Sequence, residues 1–385
     1  MSVMASRPVL RWAVPAGVLV VVLGGGAVTT ALRASADARL APRSAAQLLV
    51  DLQTARLDGV SGTVVERADL GLPPLPGSVG GDGSADLNSL ITGSHTLRVW
   101  YSGQDKARIA LLGAVSESDV VYNGTDAWEW ASSSNTATHY RVSKDQRKPP
   151  PSGKLPADLP RTPQEAANRI LALVDPTTSV GTDGGAVVAG HRAYELVLTP
   201  KDTASLVSQV RIAIDGTAHV PTRVQVFAKG HDKAAFEIGF TQVSFTRPDD
   251  GVFRFTPPPG AKITEGDPDR AAGTPTGPAR PAAPRPVVIG KGWTSVLVAR
   301  MPADSAPAQR GPSDPAKPGR PDGGQAGIGA FLDKLPQVHG SFGTGRVLQS
   351  RLFSVLLLDD GRVLVGPVSP DRLIAAAADP AAALK

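Results

Sequence analysis

Side chains able to do proton or metal chemistry are spread thinly along this 385-residue chain. Its six histidines, His95, His139, His191, His219, His231 and His339, stand far apart. No two have the spacing that sets a pair of imidazoles on one helix face, and none has the flanking glutamate of a hydrolytic zinc site. They read as solvated strand or turn residues. The chain has no cysteine, which excludes a disulfide framework, a thiolate metal site and a lipid-modified cysteine. The Gly-x-Ser-x-Gly elbow of serine hydrolases is missing, and Ser61, Ser84 and Ser341 have no recognisable base partner. The stretch Gly340-Ser-Phe-Gly-Thr-Gly345 lacks the Gly-Lys-Ser/Thr ending that grips a nucleotide phosphate, and reads as a turn that introduces a strand. Asp119, Asp126 and Glu129 flank a hairpin and are expected to be turn and outward strand residues, not a catalytic carboxylate pair. Asp359-Asp360-Gly361 is a hairpin tip with no further oxygen ligands at calcium-loop spacing. The expectation is therefore a non-enzyme with no catalytic residue, no metal and no cofactor.

Charge narrows the partners. Forty basic residues against 35 acidic ones leave a net charge of +5, and no Lys/Arg block exceeds Arg147-Lys148. Phosphate backbones need clustered cations, so nucleic acid is excluded as a partner. At the N-terminus Arg7 and Arg11 precede an apolar run from Trp12 to Leu32 without charge or carboxamide. At about 21 residues it is long enough to cross a bilayer as a helix. Ala34-Ser35-Ala36 also fits signal-peptide cleavage. The expected arrangement is a cytoplasmic segment 1–11, a retained anchor over 12–32 and an extracytoplasmic remainder at the cell membrane, or a secreted protein if the segment is cleaved.

The richest apolar stretch runs from His95 to Val142, where Trp100, Trp128 and Trp130 make three of five tryptophans and Tyr101, Tyr122 and Tyr140 three of four tyrosines. Short alternating segments around it predict strands near 59–68, 94–102, 106–112, 117–123, 126–132, 136–142, 185–190, 192–199, 207–215, 221–229 and 234–246. Asn123-Gly124 and Asp215-Gly216 mark hairpins. Short connections imply an antiparallel meander. Ser44-Ala-Ala-Gln47 is a capping box opening a helix, and Thr162-Pro163-Gln164-Glu165 opens a second through Val174. Residues 69–92 and 144–161 read as Pro/Gly-rich loops.

Period-two alternation groups Leu97, Val99, Tyr101, Ile109, Leu111, Trp128, Trp130, Tyr140, Tyr194, Leu196, Leu198, Val210, Ile212, Ile214, Val224 and Val226 on one apolar face. Arg98, Lys106, Arg108, Glu129, His139, Arg141, Glu195, Arg211 and Arg223 take the other, with Trp100. A change of phase between Phe236/Ile238/Phe240 and Val243/Phe245 predicts a bulge near Gln242. So many strands present more apolar surface than two short helices cover. Two readings stay open: a closed barrel or sandwich whose core these side chains fill, or an open curved sheet with a helical lid over an apolar cavity.

The motif order Leu97-Arg-Val-Trp-Tyr-Ser-Gly103, Ser118-Asp-Val-Val-Tyr-Asn-Gly-Thr-Asp-Ala-Trp-Glu-Trp130, Val210-Arg-Ile-Ala-Ile-Asp-Gly216 with Pro221-Thr-Arg-Val-Gln-Val226, and Phe253-Arg-Phe-Thr-Pro-Pro-Pro-Gly260 resembles the LolA/RseB superfamily over about residues 40–265. Pro/Ala-rich linkers suggest an actinobacterial member. The resemblance implies a half β-barrel, mainly β with few helices, and a pocket for acyl chains. It implies no catalytic residue. Ligand-binding candidates on that basis are Leu97, Val99, Tyr101, Ile109, Leu111, Trp128, Trp130, Tyr140, Tyr194, Leu196, Ile212, Ile214, Val224 and Val226. The chain departs from the pattern in lacking a lipidated cysteine and in carrying an anchor. After a Pro/Ala/Gly linker at 266–286, residues 287–380 are expected to form a small α+β C-terminal domain with an insertion at 302–326, docked on the first. The implied function is to bind acyl chains of a lipid or lipoprotein in the cell envelope. The alternative is an RseB-like regulator whose C-terminal unit binds a membrane protein partner such as an anti-sigma factor.

Overall fold

The computed structural model describes residues 40–72, 93–103, 105–141, 176–266, 286–300, 331–379 and 382. The anchor at 12–32, the small-residue site at 34–36, the helix expected at 162–174, the insertion at 302–326 and the linker between its end residues lie outside them. Among the described residues no helix is long and apolar enough to cross a membrane.

Helix α1 (Ala45–Thr54) starts where the capping box places it: Gln47 N–H donates to the Ser44 hydroxyl at 3.3 Å, and Ser44 N–H to the Gln47 side chain at 2.9 Å. Strands β1 (Gly59–Ala68), β2 (Gly93–Ser102), β3 (Lys106–Leu112), β4 (Glu117–Asn123), β5 (Asp126–Ala131) and β6 (Thr136–Arg141) form one meander. β7 (Thr178–Val188), β8 (His191–Pro200), β9 (Val207–Asp215), β10 (Pro221–Ala228) and β11 (Ala234–Ser244) form another. β1 pairs with β11 and joins the two. β12 (Lys262–Gly266) adds to β6 in parallel, so that among the described residues the sheet has 12 strands with β12 and β7 at its ends. The sheet is open and curved, which removes the closed-barrel reading.

Several local expectations hold in detail. Gly124 has φ 68° in the β4–β5 turn, a conformation glycine adopts without penalty. The bulge lies at Thr241, since Thr63 faces Gln242 and Val64 faces Phe240. The β9–β10 connection is longer than a two-residue hairpin: Asp215 Oδ1 accepts from the N–H groups of Thr217 and Ala218, and His219 takes φ 56°. β7 starts at Thr178, earlier than the sequence suggests, and β12 was not anticipated.

A second sheet has six strands in the order β13-β14-β18-β17-β16-β15. Their ranges are β13 (Val287–Ile289), β14 (Val296–Arg300), β15 (Gln337–Gly340), β16 (Gly343–Gln349), β17 (Ser354–Leu358) and β18 (Arg362–Gly366). Helix α2 (Pro370–Ala377) buries Leu373, Ala376 and Ala377 in a core with Val298, Leu356 and Leu364. This sheet touches the large one directly. Leu206 N–H donates to Pro367 O and Arg351 N–H to Leu70 O, both at 2.8 Å, and the Trp293 indole donates to the Thr178 hydroxyl at 2.7 Å.

Candidate functional site: two faces of the large sheet

Successive strand residues face opposite sides, so the register sorts the large sheet into two faces. On the face that carries α1, one cross-strand row reads Leu196, Ile212, Val224, Ile238, Glu66, His95. The next reads Leu198, Val210, Val226, Phe236, Ala68. Further rows bring Val64, Leu97 and Leu111 together, then Val99, Ile109 and Val120, then Tyr101, Ala107, Tyr122, Ala127 and Tyr140. Twelve of the fourteen sequence candidates share this face: Leu97, Val99, Tyr101, Ile109, Leu111, Tyr140, Tyr194, Leu196, Ile212, Ile214, Val224 and Val226.

Coverage of this face is uneven. Leu48 of α1 is fully buried against Leu196 and Ile214, with Tyr194, Leu198 and Ile212 around it. Leu111 and Val64 are also buried. Between these places Val210, Ile212, Val224, Val226, Phe236 and Ile238 are only half-buried. Ile109 and Val120 are 37% and 39% exposed. Helix α1 therefore covers one end of an apolar surface that continues across the sheet.

Trp128 and Trp130 are on the other face, contrary to expectation. Trp128 pairs with Val121 and His139, and Trp130 with Asp119 and Ala137. The reason is a segment of the protein itself. After β11 the chain makes a 3-10 turn at Asp250–Phe253 and crosses this face. Phe253 is buried, and the Phe255 ring lies 5.4 Å from Trp128 and 6.3 Å from Trp130. Arg108 donates to Val252 O at 3.3 Å and to Asp119 at 2.5 Å, and its guanidinium lies 5.4 Å above Trp100. Trp128 and Trp130 are the seat of a strap. Glu129 correspondingly faces the helix side and accepts the Tyr140 hydroxyl at 3.3 Å. Asp119 is buried, not an outward strand residue.

Two histidines expected in solvent are buried instead. His139 stacks under Trp128 at 4.3 Å, with Nε2 2.9 Å from Asp126 and Nδ1 3.2 Å from Glu265 of β12. Its hydrogen bond holds the Asp126 carboxyl below its ordinary range. His95, 2% exposed, sits on the helix face with Nδ1 2.9 Å from Glu66 Oε2. Glu66 is 3% exposed. Burial pushes its carboxyl above the ordinary range, and the His95 hydrogen bond and charge oppose that. Sequence reasoning passed over Glu66, although it shares the phase of Val64 and Ala68 in a half-apolar strand. Among the described residues no three His, Asp or Glu side chains are placed to hold a metal ion.

No family model and no curated protein sequence matches the chain. Solved structures do. MucB of Pseudomonas aeruginosa, in its complex with MucA, is 15% identical with a TM-score of 0.41, over 86% of this chain and 96% of that one. An uncharacterised conserved protein of Thermus thermophilus is 12% identical at TM-score 0.32, over 57% and 98%. A LolA superfamily protein of Nitrosomonas europaea is 13% identical at TM-score 0.20, over 56% and 99%.

Proposed function

We propose that the chain is a membrane-anchored extracytoplasmic protein that holds acyl chains of a lipid or lipoprotein against the helix face of its large sheet. The observation that carries this reading is the run of half-buried Val224, Ile238, Val210, Val226 and Phe236 beyond the cluster that surrounds Leu48 of α1. Burying a methylene is worth about 0.8 kcal/mol, so a long acyl chain is retained on such a surface without specific polar contacts. Organic extraction of the purified full chain, followed by mass spectrometry, is expected to recover acyl lipid. A lipid-free protein that takes up no added acyl ligand would sink the reading. Val224→Asp is expected to lower lipid retention at least tenfold while leaving the circular dichroism spectrum and a cooperative melt, because the new charge meets the acyl chain and not a packed core.

A second reading, an RseB-like interaction protein, is favoured by a different surface. The face of the second sheet away from α2 carries Leu297, Leu348, Val355, Leu357, Val363 and Val365, none fully buried. Truncation after residue 286 would then abolish crosslinking to a membrane protein while sparing lipid retention. Unchanged crosslinking would count against it.

A further inference from the structure

Glu66 is out of place on an apolar face. Its cross-strand neighbours are Ile238 and His95, and Val64 and Ala68 flank it along β1. Oε2 is engaged by His95 at 2.9 Å. Oε1 is buried and has no hydrogen-bond partner among the described residues. A buried carboxylate oxygen without a donor is costly, and native proteins rarely keep one unless something fills the position. Glu66 follows half-buried Ile212, Val224 and Ile238 in their cross-strand row.

We propose that Glu66, positioned by His95, is the polar anchor of the apolar surface and accepts a hydrogen bond from a neutral donor at the root of an acyl chain, an amide N–H or a hydroxyl. This rests on the acyl-binding reading above and adds specificity to it: N-acylated or hydroxylated ligands are preferred over plain esters of the same chain. The carboxylate acts as acceptor only. His95 occupies the other oxygen, which leaves Oε1 for the ligand.

The test compares two ligands that differ in one donor, N-ethylpalmitamide and ethyl palmitate, in competition with a fluorescent acyl ester bound to the full chain. The amide is expected to compete about tenfold better, as for one hydrogen bond to a charged group. Glu66→Leu is expected to abolish that preference while ester affinity stays within a fewfold. Glu66→Gln, which keeps an acceptor, should retain a reduced preference and guards against a folding failure of the leucine variant. Equal competition by amide and ester on the wild-type chain overturns the anchor, leaves Oε1 to a bound water and keeps the acyl reading intact. No competition by either ligand overturns the acyl reading and the anchor with it.

Discussion

Glu66 and His95 show how far one side chain departs from what its strand suggests. Burial raises the Glu66 carboxyl above its ordinary range, so between the unfolded and folded values the native state holds a proton that the unfolded state has released. Stability contributed by this group is therefore complete below the unfolded value and lost as pH rises through the folded one. Urea midpoints of the wild-type chain are expected to decline across that window, just above the ordinary glutamate range, while Glu66→Gln is flatter there. An equal decline in both chains would place the titration elsewhere. The same scale shows where sequence reading stops. Period two fixed the face of Leu97, Val99, Ile212 and Val224 because aliphatic and charged residues alternate cleanly there. In Trp128-Glu-Trp130 the pattern has the same period with the opposite meaning, since what makes that face apolar is a strap from more than a hundred residues further along the chain.

At the scale of elements, the strands with β-branched or aromatic residues and firm turns were legible to within a residue or two, as β1, β3, β4 and β9 show. The front of β7 was hidden because Gly181, Gly184 and Gly185 interrupt its alternation. β12 was hidden because Lys-Ile-Thr-Glu-Gly follows a proline run and gains its partner only through parallel pairing with β6. The strap was legible only as a closing motif. Its contribution can be measured: Phe253, 1% exposed, anchors the 3-10 turn over β3 and β4. Phe253→Ala is expected to cost about 3–5 kcal/mol, the usual cost of deleting a buried aromatic ring. It should also shift tryptophan emission to the red as Trp128 and Trp130 meet water. Lipid retention by the folded fraction should stay unchanged, because the strap and the apolar row lie on opposite faces. Loss of lipid in step with the emission shift would mean that the two faces are not independent.

Across the whole molecule, the two sheets are joined along a strip at the ends of β1, β7, β8 and β9. Ser205 bridges Val368, Arg351 pairs with Asp69 and donates to its carbonyl, and the Thr294 hydroxyl reaches Asp202 at 3.3 Å. Most of these contacts are polar and partly exposed, so each alone contributes little. The tightest approach is backbone against side chain: Gly292 has φ 57°, and a Cβ there would collide with the Thr177 side chain. That turn also aims the Trp293 indole at Thr178. Gly292→Ala combines an unfavourable backbone conformation with a clash that only separation or distortion of the strip relieves. The second sheet keeps its own core of Val298, Leu356, Leu364 and Leu373, so the substitution is expected to uncouple the sheets without melting either. Calorimetry should then resolve two transitions where the wild-type chain is expected to show one. A single transition displaced to lower temperature would instead show that the small sheet depends on the large one for its folding.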